Sequence, residues 1–163
     1  MDRRHWLCAL LFLLTVGCAM QRQPRLTQVN LDEYTPYDVS GTAVIYGDAF
    51  LKTRSGDVKK GAGNKINLNP VTTYSTEWFE RMIIGSQLLV QADMRVHKYH
   101  RETIADSDGK FEFEGLPPGD YYLACRITWE VPIGYGQTSV TGGWAYAKVT
   151  VKAGERKKVT LTR

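Results

Sequence analysis

Cysteine is scarce, with three in 163 residues, at positions 8, 18 and 125. That number cannot build the dense disulfide framework of a small stapled domain. Histidine is equally scarce, and no His-Glu-x-x-His run occurs, so zinc-peptidase chemistry lacks its ligands. No Gly-x-Ser-x-Gly elbow is present to present a serine nucleophile. The apolar run Trp6 to Gly17 is too short to cross about 30 Å of hydrocarbon as a helix. The net charge is only +4. Apart from Lys59-Lys60 and Arg156-Lys157-Lys158, each beside a turn signal, the basic residues are scattered. A nucleic-acid binder carries a concentrated basic face, so no nucleic-acid partner is expected. There is no internal repeat and no low-complexity tract.

What is present is strand pattern, densest from Ala105 to Trp129. Phe111 and Phe113 alternate with Glu112 and Glu114, giving one apolar and one wet face. Upstream, Asp106, Asp108 and Gly109 supply a turn, because the carboxylates bond their own backbone and Gly109 tolerates positive φ. Downstream, Pro117 and Pro118 lack the N–H that a strand needs. The next strand places Tyr121, Leu123, Cys125, Ile127 and Trp129 on one side. On that apolar face Cys125 reads as an inert buried thiol.

The run Asp106, Gly109, Phe111, Phe113, Leu116, Pro117, Pro118, Gly119 and Tyr121 resembles the signature of carboxypeptidase regulatory-like domains, which are transthyretin-like sandwiches. The resemblance extends over roughly Gly41 to Arg163. It implies a seven-stranded antiparallel β-sandwich and, in most members, no catalysis. Transthyretin-related hydrolases end in Tyr-Arg-Gly-Ser, whereas this chain ends Leu161-Thr162-Arg163, so that activity does not carry over.

The N-terminus reads as an address. Arg3 and Arg4 precede the short apolar run, as in a secretory signal peptide. Leu14-Thr15-Val16-Gly17-Cys18 resembles the bacterial lipobox, with Thr15 where leucine is usual. The resemblance implies cleavage after Gly17 and acylation of Cys18, with a plain signal peptide or an uncut anchor as the alternatives. Several acyl chains make anchoring stable where one does not. Ala19, in place of a retention aspartate, favours the outer membrane where the host has one. With Cys8 removed and Cys18 acylated, Cys125 stands alone.

The expected map is therefore a signal peptide at 1–17, a lipidated N-terminus and polar tether at 18–39, and one sandwich domain at 40–163. Strand signals fall at Gly41–Thr53, Lys65–Pro70, His97–Ile104, the Phe111 region, Tyr121–Trp129, Trp144–Lys152 and Lys157–Thr162. Trp78, Phe79, Met82 and Ile83 are spaced for a short helix that Gly85 ends. Glu130–Gly143, with Pro132 and four glycines, reads as a long flexible connection.

Among candidate sites, His97 and His100 would lie on opposite faces of the strand that Tyr99 and Thr103 favour and cannot chelate one ion there, whereas on a helix they could share a face. Asp106-x-Asp108-Gly109 lacks the later ligands of a calcium loop. No metal, cofactor or catalytic residue is expected. Trp78 and Phe79 on their helix, with Tyr135 in the glycine-rich stretch, are the candidate partner-binding residues, since loop aromatics anchor proteins or stack on sugars; core packing is the alternative for the first two. The expected function is a non-enzymatic, lipid-anchored envelope protein presenting a binding or scaffolding surface to a protein or glycan. Alternatives are a subunit of an envelope secretion assembly, or a carbohydrate-binding or hydrolase accessory module. Cys18→Ser is expected to abolish incorporation of radiolabelled palmitate, and unchanged labelling would overturn the lipobox reading.

Overall fold

Alternation along the strands sends one side chain in two inward, and two sheets close on those inward faces. The computed structural model describes residues 21–163. The expected leader at 1–17 and the acylated Cys18 lie outside the described residues.

The first sheet is built on β1 (Ala43–Lys52), whose Ala43, Ile45, Ala49 and Leu51 are buried. It pairs antiparallel with β2 (Val58–Lys60) and with β5 (Lys110–Leu116), and parallel with β8 (Arg156–Leu161). The β1–β8 approach depends on Gly47, where a Cβ would fall 1.6 Å from the Val159 carbonyl oxygen. The second sheet is antiparallel throughout, in the order β4 (Arg101–Ile104), β3 (Lys65–Pro70), β6 (Gly119–Gly134), β7 (Gln137–Val151). Between the sheets lie Ile45, Ile66, Leu68, Phe111, Phe113, Leu123, Ile127 and Leu161. Tyr121 joins them and donates its hydroxyl to the Pro117 carbonyl at 2.8 Å. Cys125 is fully buried, and burial pushes its thiol up to about 11. At the hairpin entrance Asp106 Oδ1 accepts from the Asp108 and Lys110 N–H groups, and Gly109 sits at φ 80°.

The architecture is a β-sandwich, as the alternation indicates, but it departs from the expectation in four places. Among the described residues it has eight strands rather than seven, since β2, three residues between two turns, is too short to show a period. The β1–β8 pair is parallel. Glu130–Gly143 is not a loose connection: β6 and β7 stay paired out to Gly134 and Gln137. Tyr135 and Gly136, both at positive φ, make the turn at the tip of this ribbon. Finally, the strand expected from His97 begins only at Arg101, because Met94–Tyr99 forms a 3-10 helix capped by Asp93.

The stretch read as a polar tether is also packed, from Gln23 to Tyr37. Gln23 bridges Leu89. Leu31–Tyr37 is a 3-10 helix whose Asp32 N–H donates to the Asn30 side chain. Tyr34 is buried and its hydroxyl accepts from Thr72 at 3.0 Å. Tyr37 sets its ring edge-on to Tyr121 and donates to the Asp120 carbonyl.

The tightest hold on this segment is an ion cluster. Glu77, 7% exposed, accepts from the Leu26 N–H at 2.8 Å and the Thr27 N–H at 3.0 Å. Arg81 donates to the same carboxylate, and the Arg25 Nε lies 3.3 Å from it. Burial opposes ionisation of Glu77, but these donors outweigh it and hold the carboxyl at about 2, against an ordinary 4.5. A depressed folded-state value contributes stability that is full above pH 4.5 and is lost as the pH falls towards 2. The shift corresponds to roughly 3 kcal/mol. Urea unfolding of the wild type is expected to lose about that much across the window, and Glu77→Gln, already weakened at pH 7, to show a flatter acid limb.

Candidate functional site

The second sheet is apolar on both faces. Ile66, Leu68, Leu123 and Cys125 point into the sandwich, while Tyr122, Ala124, Trp144 and Tyr146 emerge on the outer side. That outer side needs cover, and the insertion between β3 and β4 supplies it. The insertion starts with α1 (Thr73–Glu77), where Thr72 and Ser75 form a reciprocal capping box. The helix then widens into a π-turn, Trp78–Ile84, closed by the Gly85 N–H on the Glu80 carbonyl. Phe79 and Ile83, four residues apart, face the sheet. Phe79 stacks on Tyr122 with ring centroids 4.1 Å apart and meets the edge of Tyr146 at 5.4 Å.

Trp78 and Met82, one position earlier on the same turns, line a cavity of about 350 Å³ instead. Its remaining surface comes from separate parts of the chain. From β3 come Asn67 and Asn69, turned outward because Ile66 and Leu68 turn inward. From β7 comes Trp144, and from the N-terminal segment Arg25 and Tyr34. The second 3-10 helix contributes Val96 and His97, with His100 at its end. Tyr74 completes the aromatic surface and carries the Arg25 guanidinium 3.9 Å above its ring.

The polar groups are held in place. Asn67 Nδ2 donates to the Ala124 carbonyl. The His100 ring lies between Asn69, with Nδ1 3.0 Å from Oδ1, and Glu102, with Nε2 3.2 Å from Oε1. Lys65 pairs with the other oxygen of Glu102 at 2.8 Å. Ser75 is no free nucleophile, since its hydroxyl donates to the Pro70 carbonyl inside the cap. Such a surface can stack a flat apolar ring and exchange hydrogen bonds with hydroxyls. Among the described residues no group of three or more His, Cys, Asp and Glu side chains is arranged for a metal ion.

The sequence candidates land in different places. Trp78 is half-buried on the cavity wall, Phe79 is buried beneath the insertion, and Tyr135 is fully exposed at the ribbon tip, away from the cavity lining. Cys18 lies outside the described residues. His97 and His100, expected on opposite faces of a strand, line the same cavity. Sequence reasoning missed Arg25, Tyr34, Asn67, Asn69 and Trp144. The one signal for any of them was Asn67-x-Asn69, a pair of amides on the outer face of an otherwise apolar strand.

No family model and no curated protein matches the sequence. A crystal structure from Pseudomonas aeruginosa, of a protein proposed to be a carbohydrate binding protein, does match. It is 30% identical, with a TM-score of 0.76, over 84% of this chain and 99% of that one. The major pilin subunit of Bacillus cereus is similar at 13% identity, with a TM-score of 0.44 over 75% of this chain and 30% of that one, too slight to bear on function.

The two neighbouring aromatics of the π-turn should behave differently when truncated. Phe79→Ala is expected to cost about 3–5 kcal/mol in urea unfolding, and Trp78→Ala less than half of that. Equal losses would place Trp78 in the packing instead of on the cavity wall.

Proposed function

This chain belongs to the same family as the Pseudomonas aeruginosa protein, and on that premise we propose that it is a saccharide-binding module whose site is the cavity under the insertion. The observation that carries the reading is the pairing of Trp78 and Trp144 with Asn67 and Asn69 on one concave surface. A pyranose offers C–H faces that stack on aromatic rings, while its hydroxyls need partners that both donate and accept. A side-chain amide does both. The volume falls within the range of small-ligand sites, about 300–1,000 Å³.

The module acts by binding and not by catalysis. Glycoside hydrolysis calls on two carboxyl groups flanking the scissile bond, and the cavity lining supplies neither. His100 has both ring nitrogens engaged by Asn69 and Glu102, which suits a fixed surface better than a proton shuttle. We read the sandwich, on its Asp106–Tyr121 run, as carboxypeptidase regulatory-like. Acylation of Cys18 would hold the module in the cell envelope, at the outer membrane where there is one.

Glycan-array screening followed by titration calorimetry tests this directly. Trp78→Ala and Trp144→Ala are each expected to weaken oligosaccharide binding about tenfold, from the loss of roughly 1–1.5 kcal/mol of stacking. Tyr135→Ala is expected to leave it unchanged. Loss of binding in the Tyr135 variant alone would move the site to the ribbon tip.

A further inference from the structure

We propose that the saccharide taken by this cavity is an acidic one, a uronate-type sugar whose carboxylate is set against Arg25. The inference rests on the saccharide reading and adds the charge of the ligand.

The cavity lining contains an arginine and two histidines but no aspartate or glutamate. A neutral sugar gains from carboxylate acceptors for its hydroxyls, whereas an acidic sugar is repelled by them. This lining is therefore built of donors and amphoteric groups, without the one side-chain type that an anion would avoid.

The charge behind the lining has the matching sign. Arg25 and Arg81 share the single carboxylate of Glu77, so the cluster keeps one net positive charge in a site where screening by water is weak. On the other side, Glu102 does not line the cavity, and its charge is shared between His100 and Lys65.

Arg25 also has donors to spare. Its side chain is nine-tenths buried. The Nε faces Glu77 and Nη2 donates to the Tyr74 carbonyl. Among the described residues the one buried side-chain polar atom without a hydrogen-bond partner is that Nε, held to Glu77 as an ion pair alone, and no hydrogen bond engages the two Nη1 N–H groups. Unmatched charged donors are costly. An anionic oxygen entering the cavity satisfies them with charge-assisted bonds, and Tyr74 beneath the guanidinium fixes the plane in which they are offered.

The test is titration calorimetry of the full chain with trigalacturonate and with uncharged trisaccharides of glucose and galactose, at 50 and 500 mM NaCl. The acidic trisaccharide is expected to bind at least tenfold more tightly at low salt, with the gap narrowing at high salt. Asn69→Asp keeps an oxygen beside the His100 Nδ1, which the Asn69 Oδ1 now meets at 3.0 Å, and adds a negative charge to the lining, so a melting curve close to wild type is expected. That variant should lower the ratio of acidic to neutral affinity about tenfold. Neutral trisaccharides binding as well as the acidic one, or a ratio unmoved by Asn69→Asp, would overturn the acidic assignment and leave saccharide binding standing. Binding of none of the three sugars would bring down both.

Discussion

The carboxylate of Glu77 is the point on which the outer layer of this molecule depends. Taking an ionised carboxylate out of water costs several kcal/mol unless its lone pairs are met. Three hydrogen-bond donors and one further paired charge meet these, and they come from two directions. Arg81 reaches back from the next turn of the same helix, while Arg25 and the N–H groups of Leu26 and Thr27 arrive from a segment about fifty residues earlier. Two consecutive backbone donors on two oxygens leave that segment no freedom to slide. Its register is fixed, and with it the positions of Arg25 and Tyr34 on the cavity wall.

The reason an outer layer exists at all lies in the second sheet. Strands of an open antiparallel sandwich ordinarily keep one face wet. Here Tyr122, Ala124, Trp144 and Tyr146 make the outer face apolar as well, and the insertion covers it through Phe79 and Ile83. The cover is incomplete. A π-turn carries one residue more per turn than an α-helix, so Trp78 and Met82 swing past the edge of the contact that Phe79 and Ile83 make. Amides from β3 lie exposed beneath the gap, and the N-terminal segment walls one side of it. The cavity is the space left where three covering pieces fail to meet.

This explains which features were legible in the sequence. The strands around Phe111 and Leu123 could be read because alternation is local, and the Asp106–Gly109 turn because its hydrogen bonds span two to four residues. The docking of the N-terminal segment could not. Arg25, Tyr34 and Tyr37 form no period, and their partners lie 49, 38 and 83 residues away. The histidines show how one wrong element changes a site. A spacing of three puts two residues on opposite faces of a strand but on the same side of a 3-10 helix, which has three residues per turn. His97 and His100 follow the second rule. The ribbon beyond Glu130 was misread for a related reason: glycine and proline mark loops in packed sheets, but a projecting two-stranded ribbon has little to pack against and tolerates both.

A site assembled in this way ties recognition to assembly. No single segment holds more than part of the lining, and two of its residues, Arg25 and Tyr34, sit on the stretch nearest the N-terminus. Any ligand that uses Arg25 must therefore also favour the docked state of that stretch, and by linkage anything that loosens the docking weakens the ligand by the same factor. The sandwich core meets that stretch where Tyr37 packs edge-on against Tyr121. Its Tyr121, Leu123, Cys125 and Ile127 are sealed on the opposite face of β6 from Tyr122 and Ala124. One strand thus separates the layer that fixes the fold from the layer that encloses the cavity.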